Sequence, residues 1–115
     1  MRALIIPVGG PPGEVDLPGG PSSRLMRSLR TLTGAQCAER LQITTRWEAW
    51  LDEDGAAAGK PANQAATLLA RSFGFQLSLY GTAVIVGLDT DTAEPTALSP
   101  AQADAILDMI RAPSA

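Results

Sequence analysis

The 115-residue chain predicts one small α+β domain, with a mainly antiparallel sheet and about three helices packed largely on one face. Two observations support this fold class. Short apolar or alternating segments, typical of strands, recur along the chain. Most of the connections between them are short, which favours antiparallel neighbours over a doubly wound sheet. We expect residues 1–111 to form the domain and residues 112–115 to be a frayed tail.

The first elements are expected to be a hairpin and a helix. Residues 2–8 are a nearly continuous apolar run bounded by glycines and prolines, typical of an interior strand, and residues 14–17 are a candidate return arm. Ser22 suits the N-cap of a helix that ends at Gly34. The leucines of this helix, Leu25, Leu29 and Leu32, fall on one of its faces. Residues 35–45 contain a further strand, which either continues into the next strand or pairs with it.

A central stretch, residues 46–70, predicts a strand, an acidic turn, a loop and a helix. Apolar and polar residues alternate along the strand, and this places Trp50 on the mixed face, which we expect to be exposed. An Asp-Gly pair ends the strand, because both residues favour turns. Pro61 suits the first turn of the helix, which is expected to begin at Ala62 and to end at Gly74.

The C-terminal third predicts the clearest buried strand and a final helix. Residues 80–88 are β-branched, uncharged and flanked by glycines, as in a strand that is covered on both sides. A polar loop follows. Residues 99–102 then form a capping box with proline at the first helical position. We expect the central strands to be residues 3–8, 47–52 and 82–87.

Composition excludes several classes of chemistry. The formal net charge is −3, which argues against general nucleic-acid binding, since that function needs a basic footprint. The chain has no histidine and one cysteine, Cys37, which rules out a Ser-His-Asp triad and most zinc sites. We therefore assign no catalytic residue, no metal site and no cofactor. No apolar run approaches the roughly 18 residues of a membrane span, so we expect no membrane association. A single cysteine fits a reducing compartment, so we expect a cytoplasmic location.

Three arginines form the first candidate binding site. Arg24, Arg27 and Arg30 are spaced by three residues, so they share one face of the first helix, and no acidic residue of that helix can neutralise them. The simplest interpretation is a solvated helix face. The alternative is contact with an anion or an acidic partner, because the guanidinium group binds carboxylate and phosphate through two parallel hydrogen bonds.

The start of the central helix is the second candidate. Lys60 and Asn63 flank Pro61, and together with free backbone N–H groups they would offer a cation and an amide to an anion. The simpler interpretation is that Pro61 only begins a helix and Lys60 points into water. Trp50 is the third candidate, as an exposed aromatic residue on a partner-binding face.

The order of these elements resembles a known family, domain of unknown function 3846. The resemblance extends over nearly the whole chain. It is carried by residues 3–8 (strand), 25–32 (helix), 50–55 (strand end and acidic Asp-Gly turn), 61–63 (Pro-Ala-Asn), 81–87 (Gly-Thr-Ala-Val-Ile-Val-Gly) and 98–99 (Leu-Ser before the last helix). The arginines of the first helix and the Trp47/Trp50 pair do not belong to the family pattern. The resemblance implies an accessory protein of a phage, plasmid or other mobile element, and it brings no established activity.

Two functional hypotheses follow. The first is a non-enzymatic interaction protein of a phage or mobile element that acts on a host or replicon protein, with modulation of host defence or replication as one form of the hypothesis. The second is a binder of a small ligand or a nucleotide-type anion, with metal-dependent hydrolysis as one form. The sequence specifies neither the partner nor the oligomeric state.

Overall fold

The structure is a computed structural model that describes residues 1–20 and 22–111, so the expected tail at 112–115 lies outside the described residues. The strands are β1 (Arg2–Ile6), β2 (Gly13–Asp16), β3 (Ala38–Gln42), β4 (Trp47–Asp52), β5 (Ala83–Leu88) and β6 (Pro95–Thr96). The helices are α1 (Ser23–Thr33), α2 (Gln64–Arg71) and α3 (Pro100–Arg111).

The strands form one antiparallel sheet in the order β2-β1-β5-β4-β3, and this confirms the predicted fold class. β5 lies in the middle: Ile85 pairs with Leu4 of β1 on one side and with Ala49 of β4 on the other. β6 pairs with the end of β5. The three expected central strands are therefore adjacent in the sheet, and β3 and β4 form an antiparallel pair rather than one bent strand.

Helices cover both faces of the sheet. α2 and α3 pack on one face, where their apolar residues join Leu4, Ala49 and Ile85. α1 covers the opposite face, where Leu25 and Leu29 join Val84 and other residues. The expected one-sided arrangement thus holds for two helices, and the third supplies a second layer. All six residues of β5 are buried, because successive side chains point to opposite faces and each face is covered.

Local sequence signals explain where α1 begins and ends. The side chain of Ser22 accepts a hydrogen bond from the Leu25 N–H at 3.1 Å, as expected of an N-cap. Gly34 adopts a left-handed conformation with φ of 67°, and the following Ala35 N–H donates to the Arg30 carbonyl at 2.9 Å. The leucine face of α1 is thereby held against the sheet, and the arginines face outward.

The bounds of α2 differ from the prediction. The helix begins at Gln64 and ends at Arg71, whereas we expected it to run from Ala62 to Gly74. Asn63 is the N-cap, so Pro61 precedes the helix instead of starting it. The sequence signal was ambiguous because proline suits a first helical turn, but asparagine two residues later is the stronger cap.

We predict that Gly87→Ala destabilises the protein by roughly 1–3 kcal/mol, because a Cβ atom there would overpack the place where β5 pairs with β6 and the residue that follows it. It would lie 2.6 Å from the carbonyl oxygen of Ala97 and 2.9 Å from that of Thr96. Gly13→Ala in β2 is the matched control, since a Cβ atom at Gly13 meets nothing within 4 Å. Urea unfolding of the two variants measures the difference, and equal stability would contradict the packing described here.

Candidate functional site

The arginine row of α1, which we define as Arg24, Arg27 and Arg30, faces solvent. Arg24 and Arg27 are exposed and Arg30 is half-buried. Leu25 and Leu29, on the opposite side of the same helix, are fully buried against the sheet. The row is therefore the outer face of a helix whose inner face is part of the core.

No ion pair neutralises the arginine row within residues 1–20 and 22–111. The ion pairs described there involve the N-terminal amine, Arg2, Arg40 and Lys60. Asp104 and Asp108 belong to α3, which lies on the other face of the sheet, so the sheet separates them from the row. The three guanidinium groups remain available to a partner.

Stability does not account for the row. Arg24 lies in the first turn of α1, which contains no acidic residue, and a cation is unfavourable at this positive end of the helix dipole. Like charges at a spacing of three residues also repel slightly. Only Arg30, in the last turn, interacts favourably with the dipole. We infer that the folded protein alone gains little from having all three arginines.

Lys60 does not form the expected anion site. Its ammonium group donates to the carbonyl oxygens of Thr33 and Gly34 at 2.8 and 3.0 Å, and so caps the C-terminal end of α1. It also lies 2.6 Å from a carboxylate oxygen of Asp52, at the end of β4. The charge of Lys60 is therefore used within the fold, where it joins α1 to the sheet.

Asn63 is likewise part of the fold. Its side chain is buried, with 1% exposed, and its amide nitrogen donates to the carbonyl oxygens of Ile6 and Gly81 at 2.8 and 2.9 Å. Its amide oxygen accepts from the Ala66 N–H at 3.0 Å. One side chain thus caps α2 and ties it to β1 and to the segment before β5. The prediction that Lys60 and Asn63 together present an anion site at the helix start was wrong, because both groups are already occupied.

Trp50 is buried, with 6% exposed, so the prediction that it offers an exposed binding face was also wrong. The alternation along β4 does place Trp50 on the face opposite Leu51. That face is covered by α1, however, and Trp50 packs there with Val84 and Leu29.

The sequence interpretation missed an ion pair between two residues, Glu48 and Arg40. Glu48 is fully buried in β4, and Arg40 of the edge strand β3 binds both of its carboxylate oxygens, at 2.7 and 3.0 Å. The indole N–H of Trp50 donates to the same carboxylate at 3.2 Å. Arg40 also donates to the carbonyl oxygen of Ala93 at 2.8 Å. The pair is diagonal across the β3–β4 register, which only the paired strands reveal.

Both carboxylate oxygens of Glu48 accept hydrogen bonds within the fold, from Arg40 and Trp50. Within the described ranges, no group of three or more His, Cys, Asp or Glu side chains is placed to hold a metal ion. No helix in that part of the chain is long and apolar enough to cross a membrane.

The ion pair between Lys60 and Asp52 predicts a pH-dependent contribution to stability. The hydrogen bond from Lys60, followed by the one from the Asp54 N–H, lowers the pKa of Asp52. Because this pKa is lower in the folded state, the contribution is fully present above the ordinary aspartate pKa of about 3.9 and disappears as the pH falls through the folded value. Asp52→Asn should therefore lower the melting temperature at about pH 7, by an amount that shrinks towards roughly pH 2.5.

Thermal unfolding followed by circular dichroism at the two pH values measures this difference. Glu53→Gln removes a charge from an exposed residue of the same turn and serves as the control. A melting-temperature difference for Asp52→Asn that is equal at both pH values would contradict the role assigned to the pair.

The ion pair between Arg40 and Glu48 predicts that removing one charge destabilises the protein more than removing both. Arg40→Met leaves a buried carboxylate without its cation, which costs on the order of 3 kcal/mol. Arg40→Met/Glu48→Met removes both charges and should be more stable than the single variant. Gln42→Met, on the same strand and exposed, is the matched control. Urea unfolding measures all three variants, and a double variant less stable than Arg40→Met would contradict this interpretation.

Comparison with known proteins identifies the family of this fold. No curated protein and no solved structure matches the chain. The family described as Domain of unknown function (DUF3846) matches residues 1–111. That range contains the entire sheet and the three helices described above. The chain therefore belongs to the DUF3846 family.

Proposed function

We propose that this protein is a non-enzymatic binding domain whose arginine row contacts an acidic surface of a partner protein. The observation that carries the proposal is the unpaired, outward-facing arginine row of α1. Leu25 and Leu29, on the buried side of α1, fix the helix on the sheet. A rigid element rather than a loop therefore presents the row.

The chemistry of the row favours a carboxylate-bearing partner. Each guanidinium group can donate two parallel hydrogen bonds to one carboxylate, and such charge-assisted bonds are among the strongest in proteins. A partner carboxylate would also relieve the repulsion within the row and the unfavourable position of Arg24. The overall charge of −3 makes this basic face a local feature, suited to one partner rather than to nucleic acid in general.

The biological setting is part of the proposal. An accessory protein of a phage or mobile element, acting in the cytoplasm on a host or replicon protein, fits a small domain that carries a binding face and no assembled catalytic group among its described residues. The competing hypothesis is a nucleotide-type anion binder, in which Lys60 and Asn63 would assist the arginine row. Both residues are occupied within the fold, so that hypothesis now depends on the row alone.

We expect Arg24→Gln/Arg27→Gln/Arg30→Gln to fold with an unchanged or slightly raised melting temperature, because the row contributes little to stability. The same variant should lose its binding to an acidic partner protein. Affinity capture from a lysate of the source cells, quantified by mass spectrometry at low and high salt, measures this loss. Removal of three charged contacts should weaken binding at least about tenfold and flatten its salt dependence.

A matched comparison separates the row from net charge alone. Arg24→Gln/Arg27→Gln and Arg71→Gln/Arg111→Gln remove the same charge from exposed positions, and only the first pair lies on the row. Binding should be lost with the first and kept with the second. A triple variant that unfolds, or one that folds and captures the same proteins as the unmodified chain, would contradict the proposal.

A further inference from the structure

A surface distinct from the arginine row lies on the face of the sheet that α2 and α3 cover. It is bounded by the β3–β4 turn, by the residues that follow α2, and by α3. It is a cleft of about 230 Å³. The wall of the cleft is mostly apolar, and its larger residues are Trp47, Phe73, Ile106 and Met109. We call it the Trp47 cleft. Because α1 is on the opposite face, this surface is separate from the arginine row.

Of the four large apolar side chains of the Trp47 cleft, Phe73 and Met109 are exposed, whereas Trp47 and Ile106 are buried. Phe73 is 40% exposed, yet its ring lies edge-on to Trp47, with 5.3 Å between the ring centroids. Its backbone is fixed, since the N–H groups of Phe73 and Phe75 both donate to the Ala70 carbonyl, at 3.0 and 3.2 Å. Met109 is 41% exposed on the facing helix. The fold thus presents two large apolar side chains to solvent, and the ring of Phe73 is held against Trp47.

One charged residue lines the Trp47 cleft. Arg46 is exposed at its rim, and no carboxylate oxygen within residues 1–20 and 22–111 lies within 4.0 Å of it. Asp89 and Asp91 line the neighbouring cleft, on the other side of Arg46. Two polar side chains also line the Trp47 cleft: the Thr44 hydroxyl oxygen accepts from the N–H groups of Arg46 and Trp47, and the amide oxygen of Gln102 accepts from the Ser99 N–H.

Size and charge together define an occupant. An apolar cavity of about 150 Å³ holds one benzene ring, so the Trp47 cleft has room for one large side chain and not for a folded element. The guanidinium group at the rim complements a negative charge next to that side chain. Met109 adds an adaptable surface that accepts aromatic and aliphatic groups alike.

We propose that the Trp47 cleft binds a short segment of a partner protein that inserts one large apolar side chain and places an Asp or Glu carboxylate on Arg46. This interaction is independent of the arginine row, and either can fail without the other.

A displayed library of random seven-residue peptides tests the proposal. Selection is made on the unmodified protein, with prior removal of peptides that bind Ala105→Trp, a variant whose indole would fill the cleft from α3. We expect the enriched peptides to share a Leu, Met, Phe or Trp residue within two positions of an Asp or Glu. Absence of enrichment, or enrichment of apolar residues next to Lys or Arg, would overturn the proposal.

Matched variants then measure a selected peptide by fluorescence anisotropy. Ala105→Trp should weaken binding at least tenfold, whereas Ala101→Trp, at an exposed position of α3 that does not line the cleft, should leave it unchanged. Arg46→Gln should weaken binding several-fold and remove its salt dependence. Equal affinities for Ala105→Trp and Ala101→Trp would overturn the site, and an unaltered salt dependence in Arg46→Gln would overturn the role of the charge.

The concentration dependence of sedimentation separates a partner protein from a second copy of this chain. The proposal expects sedimentation of the unmodified protein to be independent of concentration over the range used for peptide binding. Self-association that Ala105→Trp abolishes and Ala101→Trp preserves would identify a second copy as the occupant and would overturn the proposal of a foreign segment.

Discussion

The buried carboxylate of Glu48 places the strongest physical demand on this fold. It lies in β4, with no exposed surface, on the same face of the strand as Trp50. A charge taken out of water costs several kcal/mol unless it is paired and hydrogen-bonded. Arg40 supplies two hydrogen bonds and Trp50 a third. The pairing of the edge strand β3 therefore does more than extend the sheet, because it brings the required cation over β4.

The same arginine also organises the loop between β5 and β6. Arg40 donates to the carbonyl oxygen of Ala93, which adopts a left-handed φ of 59° that a residue other than glycine rarely shows. Lys60 and Asn63 act in a comparable way, since each joins elements distant in sequence. Polar side chains at these three positions connect the layers, and their charges and hydrogen-bonding groups are not free for a partner.

The sequence predicted the features that depend on neighbouring residues. The uninterrupted apolar character of β5 identified the strand that is covered on both sides, and Ser22 and Gly34 marked the ends of α1. The capping box at residues 99–102 likewise began α3, since Ser99 and Gln102 exchange hydrogen bonds. In each case the determining contacts lie within one turn or one strand.

The sequence could not predict features that depend on tertiary contacts. Alternation along β4 showed on which side Trp50 lies, but only the position of α1 shows that this side is covered. The partners of Asn63 are as far away as Ile6, 57 residues earlier, so its local pattern resembled an open helix start. Glu48 and Arg40 become a pair only once the register of two strands is known. The arginine row was found from sequence because helical spacing alone defines it.

The fold therefore divides its arginines into a group that it uses and a group that it leaves free. Hydrogen exchange of the arginine Nε–H groups, followed residue by residue by NMR, distinguishes the two groups within one sample. The Nε atom of Arg40 lies 2.7 Å from a carboxylate oxygen of Glu48, and its N–H should exchange at least roughly tenfold more slowly than those of Arg24, Arg27 and Arg30. An Arg40 that exchanges as fast as the arginine row, or a member of the row that is protected as strongly as Arg40, would contradict this division.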